Sequence, residues 1–400
     1  MVAELRRNAI DLARAYDWAG IFALRDQLRA DHEQWVNVWA PLIAVAARNL
    51  GEASARSYLD EAVAAGFFQP SIHEPQLSMA FASEPDWTQL QAAMAANTPA
   101  APLELLEWPT IRPTAPLELF RASDETQLRA RVPVEPSDAW ETAKALLSWV
   151  THAWEHTSND HLVGASALEI LDEVARGRRF ACKEYTVVLT QTLNAFGIPA
   201  RRVALLNATH HAGVGTGHEV SEAWIDNLNK WVVLDGQNGL YWVSADGTPL
   251  GVVELQELYC LGTRAETAGL RKSFDDSELD LWWTYFAFAF ATGVMWPSQR
   301  VVPFFEGHAV RLPTMVASPE HAYPDLSEIA LSFTVEAEKP ALQVHPAHPF
   351  ATGYRVDDVD YALGDPWIFP DRGTGTHSVQ LNTLTPYGPT HPTTIMWKTA

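Results

Sequence analysis

Residues 182–235 hold one helical pattern followed at once by three strand patterns, and that order limits the possible folds more than any other stretch. Tyr185, Val188, Leu189, Thr192, Leu193 and Phe196 recur at helical spacing. Gly197 stops the helix and Pro199 forbids its return. "ARRVALLNA", "HEVSEAWID" and "KWVVLDG" then read as strands. Upstream, "SDAWETAKALLSWVTHAWEHT" sets Trp140, Ala143, Leu147, Val150 and Trp154 at three- and four-residue intervals. Asp138 and Glu141 are placed there as a capping box. Helices followed by an antiparallel sheet define an α+β layout.

Cys182 stands in the first turn of the punctuated helix. Unpaired backbone N–H groups and the macrodipole there favour a negative charge, which is what a reactive thiolate needs. The chain has only one other cysteine, Cys260 in "ELYCLGT", which has no flanking base and reads as core. Two cysteines in 400 residues provide no disulfide framework and suit a reducing cytoplasm.

A thiolate nucleophile needs a base within reach and a group to orient the base. His218 opens one strand and Asp235 closes the next. A four-residue loop, 226–229, pairs Ile225 with Lys230 and therefore Val220 with Asp235. His218 and Asp235 then lie diagonally on one face, two residues out of register.

Cysteine at a helix start, histidine opening a strand and aspartate closing the next resemble the transglutaminase-like superfamily of papain-related cysteine enzymes. The matching residues are Cys182, the "GIPAR" of 197–201, "HEV" from His218 and "WVVLD" ending at Asp235. The resemblance implies a papain-like core with Cys182 as nucleophile, His218 as base and Asp235 as its partner. It also implies a thioester acyl-enzyme released to water or to an amine. Two positions depart from the family's frequent pattern: Glu219-Val220 replaces Ala-Trp, and Gly236 replaces proline. The backbone N–H of Cys182 is the natural first oxyanion donor, with Asn159 and His156 as candidates for the second.

The rest of the chain is expected to flank this core. Residues 1–96 read as helices, with Ala44, Ala47, Ala55, Ala62 and Ala65 at close-packing positions. They resemble degenerate tetratricopeptide units, and a plain helical cap satisfies the same packing. Residues 97–136 read as a proline-rich linker, 137–296 as the catalytic domain and 297–400 as a β-sandwich-like domain. In the last, Ile329, Leu331, Phe333 and Val335 alternate as the buried face of a strand. "YFAFAFATG" (285–293) alternates as a strand that either of the last two domains could own.

Several function classes are set aside. A formal net charge of −21 opposes nucleic acid and anionic membranes as partners. "LWWTYFAFAFATGVMW" (281–296) is shorter than the roughly 20 residues of a membrane span. His210, His211 and His218 are split by "AGVGTG", and "HEVSE" lacks the second histidine of the zinc helix, so no metal and no cofactor is expected. No calcium loop is present in the sequence pattern. His345 and His348 read as solvent-facing loop residues. The expected activity is cleavage or transfer of an amide-type acyl group on a peptide, protein or small-molecule substrate, with hydrolysis favoured. Amide formation in small-molecule biosynthesis and an inactive interaction scaffold are the alternatives, and the N-terminal helices offer a surface for a protein partner.

Overall fold

The computed structural model describes residues 2–68, 74–97, 103–109, 117–157, 160–207, 217–269, 276–291, 294–295, 314–315, 323–336 and 339–400. The chain divides into two compact units, Met1–Leu103 (with Ala400) and Glu104–Thr399.

The first unit is helical: α1 (Val2–Arg14), α2 (Trp18–Ala23), α3 (Arg25–Arg29), α4 (Ala40–Asn49), α5 (Ala55–Ala64), α6 (Glu74–Phe81) and α7 (Trp87–Ala96). Pro41 occupies the first turn of α4, where its missing N–H costs nothing, and Gly51 takes a φ of +73° just beyond its end. α4 is almost wholly apolar and buried, so α2, α5 and α6 pack around it. A π-helical turn, Trp35–Trp39, leads into it. The turn-like residues Ser83, Glu84, Pro85 and Asp86 open α7, and α6 precedes them. Asp86 does not cap α7 with its side chain; its carboxylate is held by Arg56 at 2.8 Å instead.

The second unit is built on α8 (Glu125–Arg131), α9 (Ala139–His152), α10 (Ala167–Ala175) and α11 (Cys182–Ala195), preceded by β1 (Leu103–Glu107). Within 97–136, β1 and α8 are therefore regular elements, and Leu128 of α8 is buried in the common core. Asp138 caps α9 by accepting from the Glu141 N–H at 2.9 Å. The reciprocal half of the box does not form, because the Glu141 carboxylate takes Lys144 at 2.7 Å. Trp154 lies beyond the end of α9 and stacks on Tyr185 of α11.

Strands β2 (Ala200–Leu206), β3 (Gly217–Ile225) and β4 (Lys230–Leu234) follow α11. Then come β5 (Leu240–Val243), α12 (Val252–Leu261), β6 (Glu266–Gly269), α13 (Asp276–Thr284) and β7 (Phe288–Ala291). With β8 (Val294–Met295) and β9 (Thr314–Met315), the main sheet runs β4-β3-β2-β7-β8-β9. Residues 285–287 form a 3-10 turn rather than strand, and β7 pairs with β2, which assigns this stretch to the central sheet. One face of the sheet packs Ala223, Ile225, Val232 and Leu234 against α8–α11. The other packs Val203, Val220 and Val233 against Trp242, α12 and Phe286.

The C-terminal strands are β10 (Ile329–Glu336), β11 (Lys339–Pro346), β12 (Gly353–Val356), β13 (Val359–Ala362), β14 (Trp367–Ile368), β15 (Gly375–Thr385), β16 (Gly388–Pro389) and β17 (Thr393–Thr399). They form one sheet of order β10-β11-β14 and another of order β1-β17-β15-β12-β13, with β16 paired to β15. Trp367 of the first sheet meets Trp397 of the second at 5.6 Å between ring centroids, a sandwich contact. The architecture is α+β, as expected. The expected buried face of β10 fades along the strand: Ile329 is 1% exposed, but Phe333 and Val335 are 52% and 61% exposed, because β10 is an edge strand. Pro386 packs against Gly197, and the Tyr387 hydroxyl donates to the Phe196 carbonyl at 2.8 Å, so the β15–β16 turn rests on the end of α11.

Candidate active site

Helix α11 is buried on all sides, and its polar residues report what surrounds it. Thr186 donates to the Glu219 carbonyl at 2.8 Å, and Thr190 bonds Ser221 at 2.8 Å, which sets α11 against β3. Asn194 bridges the Ala200 N–H and carbonyl, both at 2.9 Å, tying the helix end to the start of β2. Between them, Gly197 takes a φ of +82° that favours glycine, and the Pro199 carbonyl accepts the Trp224 N–H at 2.8 Å. Arg201, the last residue of "GIPAR", is buried between the Trp231 and Tyr323 rings and pairs with buried Glu222 at 3.1 Å. Burial pushes the Glu222 carboxyl up, and Arg201 opposes that shift. The motif thus stops a helix, starts a strand and anchors it with an ion pair.

Cys182 begins α11 after an extended Ala181, so the thiol sits at the helix N-terminus. His218 is the second residue of β3, and Asp235 follows β4. The hairpin has the expected register, Ile225 opposite Lys230 and Ser221 opposite Leu234. Its loop is a 3-10 turn closed by Asn229 at a φ of +52°. His218 Nε2 lies 2.8 Å from Asp235 Oδ2, with both side chains buried. The Cys182 thiol hydrogen-bonds the same imidazole. Since Asp235 engages Nε2, Nδ1 is the ring nitrogen left for sulfur. The three residues singled out in the sequence are therefore brought together. Burial disfavours the charged ring, but Asp235 and Cys182 outweigh it and push the His218 pKa up to about 10.

Other groups at the site carried weaker sequence signals. Asn238 donates through its backbone N–H to Asp235 Oδ1 at 3.0 Å and through Nδ2 to Oδ2 at 2.8 Å. Its only sequence signal was a turn-like "DGQNG". The Trp282 ring lies 4.4 Å from the His218 ring and stacks on Tyr285, which is itself 6.1 Å from His218. Burial, and then the negative charge of Cys182, push the Tyr285 hydroxyl up. These two aromatics belong to the apolar run 281–296, whose pattern marked burial but not what it would cover. Gly236 lets the Asp235 turn approach α11: a Cβ there would sit 3.3 Å from the Tyr185 carbonyl. Thr151 holds the same turn by donating to the Gly236 carbonyl at 2.9 Å. Glu219 pairs with Arg202, and Val220 is buried beneath the sheet.

The segment before Cys182 is tied down by the Thr157 N–H to the Phe180 carbonyl at 3.0 Å and by the buried Glu184, which accepts the Leu162 N–H at 3.0 Å. His156 is exposed on this segment; Asn159 lies outside the described residues. So do His210, His211 and the loop between them and β3. Among the described residues no cluster of metal-ligating side chains forms, and no helix is long and apolar enough to cross a membrane.

Three sequence expectations are corrected outside the site. Cys260 lies in the last turn of α12 and is only partly buried, like Cys182, so exposure does not separate the two thiols. His348 does not face solvent: its side chain is buried and stands 3.2 Å from Asp226 Oδ1. Its Nδ1 accepts the Phe350 N–H, so Nε2 is the ring nitrogen that faces Asp226. His345 is exposed as expected, but on β11 rather than in a loop.

This arrangement, a thiol at a helix start facing a histidine–aspartate pair on an antiparallel sheet, defines a papain-like cysteine-enzyme core. Residues 126–236 match the transglutaminase-like superfamily, so this stretch of the chain is similar to that family's core. A solved structure of a candidate cysteine protease from Cytophaga hutchinsonii is similar at 17% identity, with 40% of this chain and 56% of that one covered and a TM-score of 0.25. The chain thus spans just over half of that protein. No curated protein matches the sequence.

Proposed function

We propose that this protein is a cysteine enzyme that cleaves an amide or peptide-type bond through a thioester on Cys182. The observation that carries the reading is the buried His218–Asp235 pair at 2.8 Å with the Cys182 thiol bonded to the same ring. Cys182 as thiolate attacks the carbonyl carbon, and the oxyanion takes the Cys182 N–H at the helix start. His218, protonated, gives its proton to the departing amine as the C–N bond breaks and the thioester remains. The neutral ring then takes a proton from water, hydroxide equivalent adds to the thioester, and the acid leaves as Cys182 regains its thiolate. Asp235 holds the ring in one orientation and stabilises its charge throughout.

Amide formation is the second reading, favoured by one feature. His218 is 4% exposed beneath Trp282, and a dry thioester survives long enough for an amine to compete with water. Two cysteines with no disulfide between them suit a reducing compartment, and we place this chemistry in the cytoplasm. The test is acylation by p-nitrophenyl acetate followed by intact-mass and peptide mapping. An acetyl group on Cys182 that disappears in Cys182→Ala and forms far more slowly in His218→Ala supports the reading. Acetylation confined to Cys260 or to lysines would sink it. Adding glycine methyl ester separates the two outcomes, since acetyl-glycine ester forms only if the thioester is passed to an amine.

A further inference from the structure

We infer that the helical unit carries a second, non-catalytic site: a groove along α1, α4 and α6 that takes an acidic peptide segment with apolar anchors from a partner protein. Two adjoining cavities of about 510 and 620 Å³ share Tyr16, Trp18 and Gln76 as their common wall. Their contiguity offers two successive seats to side chains of one chain.

Four observations converge on this groove. First, Ile10, Tyr16 and Met79 line it while 43%, 66% and 88% exposed, an apolar surface that a free helical unit has no reason to display. Second, no aspartate or glutamate lines either cavity, although the chain carries a net charge of −21. Arginines stand there instead. Arg6 is already held by Asp31 and Glu33, and Arg48 by Glu84 at 2.8 Å and the Ala80 carbonyl at 3.1 Å. Arg14 is 79% exposed with only a loose 3.8 Å contact to Asp11. Arg14 therefore offers positive charge to the first cavity. Third, Gln76 Oε1 is buried between the cavities with no hydrogen-bond partner, an acceptor placed for a peptide N–H. Fourth, the unit's backbone irregularities fall on the same wall. Tyr16 holds a φ of +55°, rare for an aromatic residue, and the π-helical turn contributes Val38 and Trp39. Such strain persists where a surface must present particular groups.

The occupant is a peptide whose aromatic or branched side chains enter the two cavities and whose carboxylates meet Arg14. The experiment pans the full-length chain against random twelve-residue peptides displayed on phage, then measures the enriched sequences as fluorescein conjugates by anisotropy. Enrichment of acidic peptides with spaced apolar residues is expected. Their affinity should fall at least tenfold in Tyr16→Gly and in Arg14→Glu. Glycine is the residue best suited to a positive φ, so Tyr16→Gly should keep or raise the melting temperature while losing the ring. Three results would overturn the inference: enriched peptides that are neutral or basic, affinities unchanged in both variants, or self-association of the full chain that Tyr16→Gly abolishes, which would assign the groove to a second copy.

Discussion

Replacing Asp235 with asparagine removes one charge from the site and keeps its shape, so its effect on His218 can be worked from the geometry. The Asp235 Oδ2 to His218 Nε2 separation is 2.8 Å. Two unit charges at that distance interact by about 6 kcal/mol at an effective dielectric constant of about 20. Spreading the positive charge over the ring puts the mean separation nearer 4 Å and the interaction near 4 kcal/mol. At 1.36 kcal/mol per pKa unit, that is about three units. His218 should therefore move from about 10 in the native protein to about 7 in Asp235→Asn. The assay is an NMR titration of Cε1-labelled histidine. His218→Gln identifies the resonance among the 14 histidines. Both titrations are run in a Cys182→Ser background, because the thiolate divides the transition and also raises the ring. Both midpoints then start lower, and the difference of about three units is what is read. The shift also carries a stability consequence. Because the folded pKa is raised above the ordinary 6.5, the protonated ring stabilises the fold fully below pH 6.5, and that contribution is lost as pH rises through about 10. Urea melts of native protein and His218→Gln should accordingly differ most near pH 6 and converge above pH 10. A native midpoint near 6.5, or one that Asp235→Asn leaves in place, would refute the electrostatic account of the site.

Arg201→Met leaves Glu222 buried without its partner and should cost about 3–5 kcal/mol in urea unfolding, much of it recovered by adding Glu222→Gln, which removes the stranded charge. Gly197→Ala places a Cβ 2.9 Å from Pro386 Cγ at a φ of +82°, and a loss of about 1–3 kcal/mol is expected. Adding Pro386→Ala should return the steric part and not the backbone part, as read by the melting temperature. Asn238→Ala removes one of three donors from a buried carboxylate and should cost about 1.5–3 kcal/mol by chemical unfolding; a neutral result would mean that water replaces Nδ2.

The sequence alone was enough for the parts of this protein that local rules specify. Glycine and proline at 197 and 199 end α11 wherever the helix lies, because one supplies a positive φ and the other lacks an N–H. A four-residue loop with strict alternation on either side sets the β3–β4 register, since a slip of one residue would turn every buried side chain outward. With the place of Cys182 in the first turn of α11, the hairpin register singles out Cys182, His218 and Asp235 from the sequence. What the tertiary structure alone decided is which distant groups complete the site and which faces are covered. Trp282 and Tyr285 reach His218 through α13 and the turn that follows it, and no periodicity records that. Asn238 was not singled out by the sequence, because its donors matter only once Asp235 is buried beside it. His348 looked exposed, yet it lies against Asp226, and Phe333 looked buried, yet it lies on an edge strand. Burial at such positions depends on what packs there from far along the chain, whereas a helix stop or a hairpin register is settled within a few residues by backbone sterics and alternation.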